Sequence, residues 1–181
     1  MGLLKLPHPG KLVIGLIYRE SAIKERALAA LKKRYGGIDY CSQELDFIYT
    51  DYYYPEFGKP LQRLFISFGP LIPEDRLPAI KRHTNALEKR FSRNGKRLIN
   101  IDPGMLNLGK LILATTKDNA HRIYLGKGIF AEVTLYFKQD SFTPWQWTYP
   151  DYQSKEYISI FNAIRTLYYE QRNVSAIPKR V

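Results

Sequence analysis

The sequence predicts an α+β fold: a ferredoxin-like βαββαβ unit, extended by a β-hairpin or meander and closed by a C-terminal amphipathic helix. Three observations lead there. The run Lys11–Tyr18 (KLVIGLIY) is continuously apolar, as a strand buried on both faces is. Two segments of helical period alternate with strand-like runs in the order β-α-β-β-α-β, the pattern of a split βαβ unit. Near the end, Tyr157, Ile160, Phe161, Ile164, Leu167 and Tyr168 form one helical stripe.

Taken in order, residues 1–10 are a proline-containing lead-in, loosely held, in which His8 has no role. After the Lys11–Tyr18 strand, Ser21 is placed to cap a helix reaching Tyr35, with Ile23, Ala27, Leu28, Leu31 and Tyr35 on one side, and Gly36-Gly37 ends it. The next strand falls within Ile38–Tyr49, its alternation blurred by Asp39 and Asp46. Thr50–Pro60 is an ordered, tyrosine-rich loop, since two prolines and a glycine break any regular element. Leu61–Phe68 is a third strand. Pro73 suits a first helical position, Glu74 and Asp75 suit the positive end of the helix dipole, and Leu77, Ile80, Thr84, Leu87 and Phe91 point inward. Asn94-Gly95 closes that helix, Lys96–Ile101 is the fourth strand, and Asp102-Pro103-Gly104 reads as a sharp turn after it.

The second half begins with a strand at Lys110–Thr116 and then a hairpin. Phe130–Lys138 alternates, with Ala131, Val133, Leu135 and Phe137 on one face and Glu132, Thr134, Tyr136 and Lys138 on the other. Gly126-Lys127-Gly128 reads as a three-residue loop with Gly128 in the left-handed region. That register sets Ile123 opposite Ala131 and Arg122 opposite Glu132, and a one-residue slip is disfavoured if Ile123 is buried. Ser141–Tyr152 is an aromatic, proline-rich wrapping loop, Ser154–Arg172 the last helix, and the tail after Val174 is frayed. The 181 residues are expected to form a single domain over 1–181, with 11–102 as the βαββαβ half and 103–173 as the extension.

Composition narrows the function. The net charge is +11, from 28 basic and 17 acidic residues. Lys81, Arg82, Lys89, Arg90, Arg93, Lys96 and Arg97 crowd one helix and the turn after it, and Lys24, Arg26, Lys32, Lys33 and Arg34 lie on the first. Such faces are either solvated surface or a polyanion-binding face, so an RNA-binding module is the alternative reading. The RNP1 pattern of an RRM is not present in Leu61–Phe68. No apolar run approaches the roughly 18 residues that span a bilayer, and the start does not resemble a signal peptide. One cysteine, Cys41, excludes an intrachain disulfide and a cysteine metal cage. Together these features lead to the expectation of a cytoplasmic protein without membrane partners.

The polar groups that could carry chemistry gather in Asn100–Lys138. Lys110, Lys117, Arg122 and Lys127 are candidates to hold a phosphate, arginine by its fork and lysine as a point charge, with Thr115 and Thr116 adding hydroxyls. A tyrosine of Tyr52–Tyr54, with Tyr53 the choice, or Trp147 would stack on a base. His121 is the candidate general acid or base because its ordinary pKa lies nearest neutrality. Asp102 is its candidate partner or a ligand for a hard cation such as Mg²⁺, and Glu132 completes the catalytic candidates. Arg122–Glu132 is either a cross-strand charge pair or a site wall in which the glutamate orients an anion-gripping arginine. His121, Asp102, Glu132 and Glu56 have metal-ligand chemistry but no HExxH-like spacing. A GxSxG elbow and paired HxT or HxS motifs are absent. The leading expectation is a site for a phosphorylated small molecule or nucleotide, with catalysis left open.

The strings TDYYYPEFGKPL, NIDPG, KLILATTKDNAHRIYLGKGIFAEVTL and WTYPDY resemble the uncharacterised prokaryotic domain of unknown function family 4416, over Lys11 to about Arg172. The resemblance brings no established activity. Some members of that family carry a "GTP-binding" label, yet this chain has no GxxxxGK[ST] loop to cradle phosphates. Thr115-Thr116-Lys117-Asp118 lacks the spacer of the guanine-reading Asn/Thr-Lys-x-Asp motif.

Overall fold

In the computed structural model, which describes residues 2–176, a single antiparallel sheet of nine strands runs through both halves of the chain. The first half holds β1 (Gly10–Tyr18), α1 (Ser21–Tyr35), β2 (Ile38–Cys41), β3 (Leu45–Asp46), α2 (Tyr54–Phe57), β4 (Gln62–Ile72), α3 (Leu77–Arg90) and β5 (Ile99–Leu106). The second holds β6 (Lys110–Thr115), β7 (Ile123–Gly126), β8 (Ile129–Lys138), β9 (Ser141–Pro144) and α4 (Lys155–Ala176). The strand order is β2-β4-β1-β5-β6-β8-β7, with β3 beside β4 and β9 beside β8. Its first four places are those of a split βαβ unit, and the fold is α+β.

The period-2 alternation of β1 sorts its side chains between two cores. Leu12, Ile14, Leu16 and Tyr18 pack with Ile23, Ala27 and Leu31 of α1 and Leu77, Ile80 and Leu87 of α3. On the other face, Val13 joins Phe65, Leu106, Leu111 and Leu135 under Tyr157, Ile160, Phe161, Ile164 and Tyr168 of α4. That second apolar core covers only part of its face. Further along the same strands lie Gly15, Arg63, Asn100, Asp102 and Glu132, and α4 contributes little there.

Several expectations are corrected. Asp102-Pro103-Gly104 is not a turn: β5 runs straight through it, with Ile14 opposite Pro103 and Val13 opposite Gly104. A proline is admissible there because β6 pairs with β5 only at Gly104↔Leu113, Met105↔Ile112 and Leu106↔Leu111, so Pro103 stands at the end of the ladder. Its carbonyl still accepts a bond there, and only the one its missing N–H would give is lost. The strand foreseen within Ile38–Tyr49 is split into β2 and β3, which pair separately with β4. Ser21 is the first helical residue of α1; Glu20 occupies the cap position and makes no side-chain cap bond. The hairpin has the expected register, Ile123↔Ala131, but not for the expected reason, because Ile123 is exposed. Gly126 pairs with Ile129, so the turn is the two-residue Lys127-Gly128, both at positive φ, and the extra residue is a bulge at Leu125. α4 continues past Val174 to Ala176, and the rest of the tail lies outside the described residues.

Gly104 sits where β5 and β6 first touch. A Cβ there would lie 2.8 Å from the carbonyl oxygen of Ile112 and 2.8 Å from Leu113 Cδ2. Since one of those neighbours is backbone, Gly104→Ala is expected to destabilise the protein by about 1–3 kcal/mol. Urea denaturation would measure it, and an unchanged midpoint would show that the strands separate at no cost.

Candidate functional site

Beyond Gly104↔Leu113 the two strands diverge, and the wedge between the first half of β5 and the last of β6 opens into a cavity of about 700 Å³. Its floor is Arg63, Asn100 and Asp102, its far wall Leu113–Lys117 and Glu132, and α3 closes one side with Lys81, Asn85, Glu88 and Lys89. The segment around Tyr49–Tyr53 and the 3-10 turn Pro150–Gln153, with Tyr149 before it, form the rim.

The floor is an ordered set of ion pairs. Lys81 Nζ donates to Asp102 Oδ1 at 2.8 Å, and Asn100 Nδ2 donates to the other oxygen. Glu88 does the work of a missing strand: its Oε1 accepts the Ile101 amide at 2.6 Å, while Oε2 receives Arg97 Nη1 at 3.0 Å. Arg97 also grips Glu56 as a fork, through Nε at 2.9 Å and Nη2 at 2.7 Å. Arg63 lies at the seam between the apolar and polar halves of this face. Its Nη2 donates to Asp151 at 2.7 Å, its Nε to the Tyr157 hydroxyl at 3.3 Å, and Phe47, Phe65, Tyr152 and Tyr157 surround the guanidinium. The remaining nitrogen, Nη1, is buried without a hydrogen-bond partner and lies over Gly15, whose missing side chain makes the room.

These contacts set the ionisation. Arg97 holds the Glu56 carboxyl below its ordinary value. Burial pushes Asp102 up, but Lys81 and Arg63 beside it overcome that and hold it below the usual carboxylate value. Glu88 goes the other way, because burial raises it more than Lys81 and Arg97 lower it. Burial also raises Tyr53 and Tyr149.

The structure brings some of the sequence candidates together and separates others. Asp102, Thr115, Thr116, Lys117, Glu132 and Tyr53 all line the cavity. Lys110 stands exposed at the opposite end of β6, opposite Tyr136, and Lys127 is exposed at the hairpin tip. Arg122 does not line the cavity. Its Nε donates to Glu132 at 2.9 Å, Nη1 to the Lys117 carbonyl at 2.9 Å and Nη2 to the Tyr149 hydroxyl at 2.6 Å. With its side chain only 2% exposed, it braces the wall and has no free edge for an anion. His121 Nε2 lies 3.2 Å from Glu132 Oε2, but its ring is stacked on Trp147 outside the cavity, and Trp147 in turn stacks on Trp145. Asp102 and His121 are therefore not partners. Among the described residues no three His, Cys, Asp or Glu side chains gather as a metal ion requires.

Arg63, Lys81, Asn85 and Glu88 are site residues that sequence reasoning misses. The signal for two of them is present: Leu77, Lys81, Thr84 and Glu88 fall at helical spacing on one face, so two charges sit on the inward stripe of α3. Arg63 likewise alternates with Phe65 and Ser67 on an otherwise buried strand.

This geometry has two measurable consequences. Because Glu132 and Arg122 are both buried, Glu132→Ala leaves an unpaired guanidinium and is expected to cost about 3–5 kcal/mol in denaturant unfolding; a loss under about 1 kcal/mol would show that the pair behaves as a surface one. The second concerns acid. Glu56 has a folded pKa below its unfolded one, so it contributes stability that is complete above the unfolded value and lost as pH falls through the folded one. Glu56→Gln is therefore expected to lose less stability than the unmodified protein between about pH 5 and pH 3. Identical slopes in unfolding midpoints across that range would contradict the Arg97 linkage.

A family model described as a domain of unknown function (DUF4416) matches residues 8–168. No curated protein and no solved structure matches the chain.

Proposed function

The chain belongs to the DUF4416 family, and from the geometry of its cavity we propose that it binds a phosphorylated small molecule between β5 and β6. The observation that carries this reading is the pairing of an ordered polar floor with a cationic, hydroxyl-bearing mouth. Lys117, Thr116 and Lys89 are exposed at the mouth, with Thr115 just below them. Lys117 Nζ has only a weak contact with the Tyr52 hydroxyl, at 3.4 Å, and lies 4.5 Å from the centre of its ring, so a phosphate can replace that contact with a stronger, charge-assisted one. A cavity of about 700 Å³ falls in the range of small-molecule sites. Catalysis is not needed for this role. Asp102, held ionised between Lys81 and Asn100, is the cavity group best suited to accept a hydrogen bond from a ligand hydroxyl.

The polyanion-binding alternative has less support. Lys81 and Arg97, two members of the basic group on and after α3, are spent on Asp102, Glu56 and Glu88, and Lys24 of α1 is paired with Glu44 and Glu25. Among the described residues no helix is long and apolar enough to cross a membrane. The free thiol Cys41 suits a reducing compartment, so the cytoplasm is the setting we propose.

The test is a thermal-shift screen of nucleotides, sugar phosphates and divalent cations on the unmodified protein and Lys117→Ala. At a hundred times its Kd a ligand adds about 2.7 kcal/mol of stability, a plain shift in Tm. A phosphorylated ligand is expected to give that shift, with the substitution weakening it. If no phosphorylated compound shifts the Tm while RNA binds with a steep salt dependence, the small-molecule reading falls.

A further inference from the structure

We infer that the ligand is a monophosphate ester bearing a planar, hydrogen-bonding ring, bound with its phosphate at the mouth and its ring in the wedge. This rests on the phosphate site proposed above and assigns the other end of the same ligand.

The first ground is charge. In the depth of the cavity, Arg63, Lys81 and Arg97 are matched by Asp151, Asp102 and Glu88, with Glu56 behind the wall also paired to Arg97, so each of these cations is already neutralised. Glu132 is neutralised by Arg122. No cationic surplus remains inside for a second phosphate, and a polyphosphate would push negative charge toward Asp102 and Glu88. At the mouth, Lys117 and Lys89 with two threonine hydroxyls suit one phosphate dianion.

The second ground is the backbone of the wedge. The Ile101 amide donates to Glu88, so it points away from β1 and toward β6. Residues two apart in a strand point the same way, which sets Met105 toward β6 as well, facing Ile112. Ala114, two residues beyond Ile112, therefore turns its N–H and C=O toward β5; the Gly104↔Leu113 bridge takes that N–H to the Pro103 carbonyl, while Pro103 has no N–H to give the Ala114 carbonyl in return. Ala114 is buried and lines the cavity. A buried carbonyl that no strand N–H meets matches the edge of a heterocycle that presents a donor, such as a ring N–H or amino group.

The third ground is what surrounds that edge. Asn85 lines the cavity half-buried, with a side-chain amide to offer, and Asp102 retains lone pairs beyond those used by Lys81 and Asn100. Phe47, Tyr49, Tyr53, Tyr149 and Tyr152 supply flat apolar walls against which a ring stacks. A bare phosphate or a triose phosphate would leave most of the roughly 700 Å³ empty.

Nucleoside monophosphates are the natural probes. Calorimetric titration of the full chain should compare them with ribose 5-phosphate, inorganic phosphate and the matching triphosphates. At least one monophosphate is expected to bind about tenfold or more tighter than ribose 5-phosphate, as stacking and edge contacts require, and tighter than its triphosphate. Asn85→Ala should erode that advantage while leaving ribose 5-phosphate unaffected, and Lys117→Ala should weaken both. Ribose 5-phosphate binding as tightly as the best monophosphate would overturn the ring assignment while leaving the phosphate site standing. A triphosphate binding most tightly would overturn the single-phosphate mouth. Failure of every phosphorylated compound would remove both readings.

Discussion

The divergence of β5 from β6 is the constraint on which the rest of this structure depends. Two neighbouring strands that part inside a protein leave backbone groups with no ladder to join, and each buried one must find another partner. Here three devices answer that demand. Pro103 brings no N–H to the open side, Glu88 reaches from α3 to accept the Ile101 amide, and Gly104 lets the strands close tightly just where the ladder resumes. Because Glu88 is itself a charge in a buried place, Arg97 must accompany it, and Glu56 joins Arg97. A chain of ionic contacts from α2 to α3 to β5 thus grows out of one missing stretch of sheet.

The second consequence is a division of labour across one face of the sheet. Where β5 and β6 are paired, the face is apolar and α4 covers it; where they part, it is polar and open. Arg63 marks the boundary. Its guanidinium lies across Gly15, held by Asp151 and the Tyr157 hydroxyl and enclosed by aromatic rings, so it belongs to the core and to the cavity at once. Such a buried pair gives little net stability over an apolar substitute, because desolvating both ions offsets most of their attraction. Its effect is to fix the turn carrying Tyr149–Tyr152 against the sheet, and so to set the height of the cavity rim.

The hairpin of the second half is joined to the same rim. Arg122 collects Glu132, the Lys117 carbonyl and the Tyr149 hydroxyl, so the wall, the mouth and the rim are tied through one side chain. His121 and Thr134 complete the coordination of Glu132. A pair that strand register alone suggests is therefore a brace that positions Lys117 and Tyr149, and the groups left free to meet a ligand are its neighbours.

By itself, the sequence determined the features that local periodicity carries. It placed β1 as a doubly buried strand, the inward stripes of α1, α3 and α4, the order of elements that yields the split βαβ unit, and the Arg122–Glu132 pair through the hairpin register. It also marked Asp102, Thr115–Lys117 and Glu132 as neighbours of the polar stretch, because they lie close along the chain. Only the tertiary structure decided which charges face inward. Lys81 and Glu88 sit on a helix full of surface charge, and nothing local distinguishes them from Lys89 or Arg90 until β5 stands opposite without a strand beside it. Pro103 reads as a turn for the same reason: a proline breaks a ladder only where a ladder is owed, and the partner that fails to arrive is β6, across a loop. Local pattern fixes which face of an element is apolar; where two strands part, and which polar groups must fill the gap, depends on pairs of residues far apart in the chain.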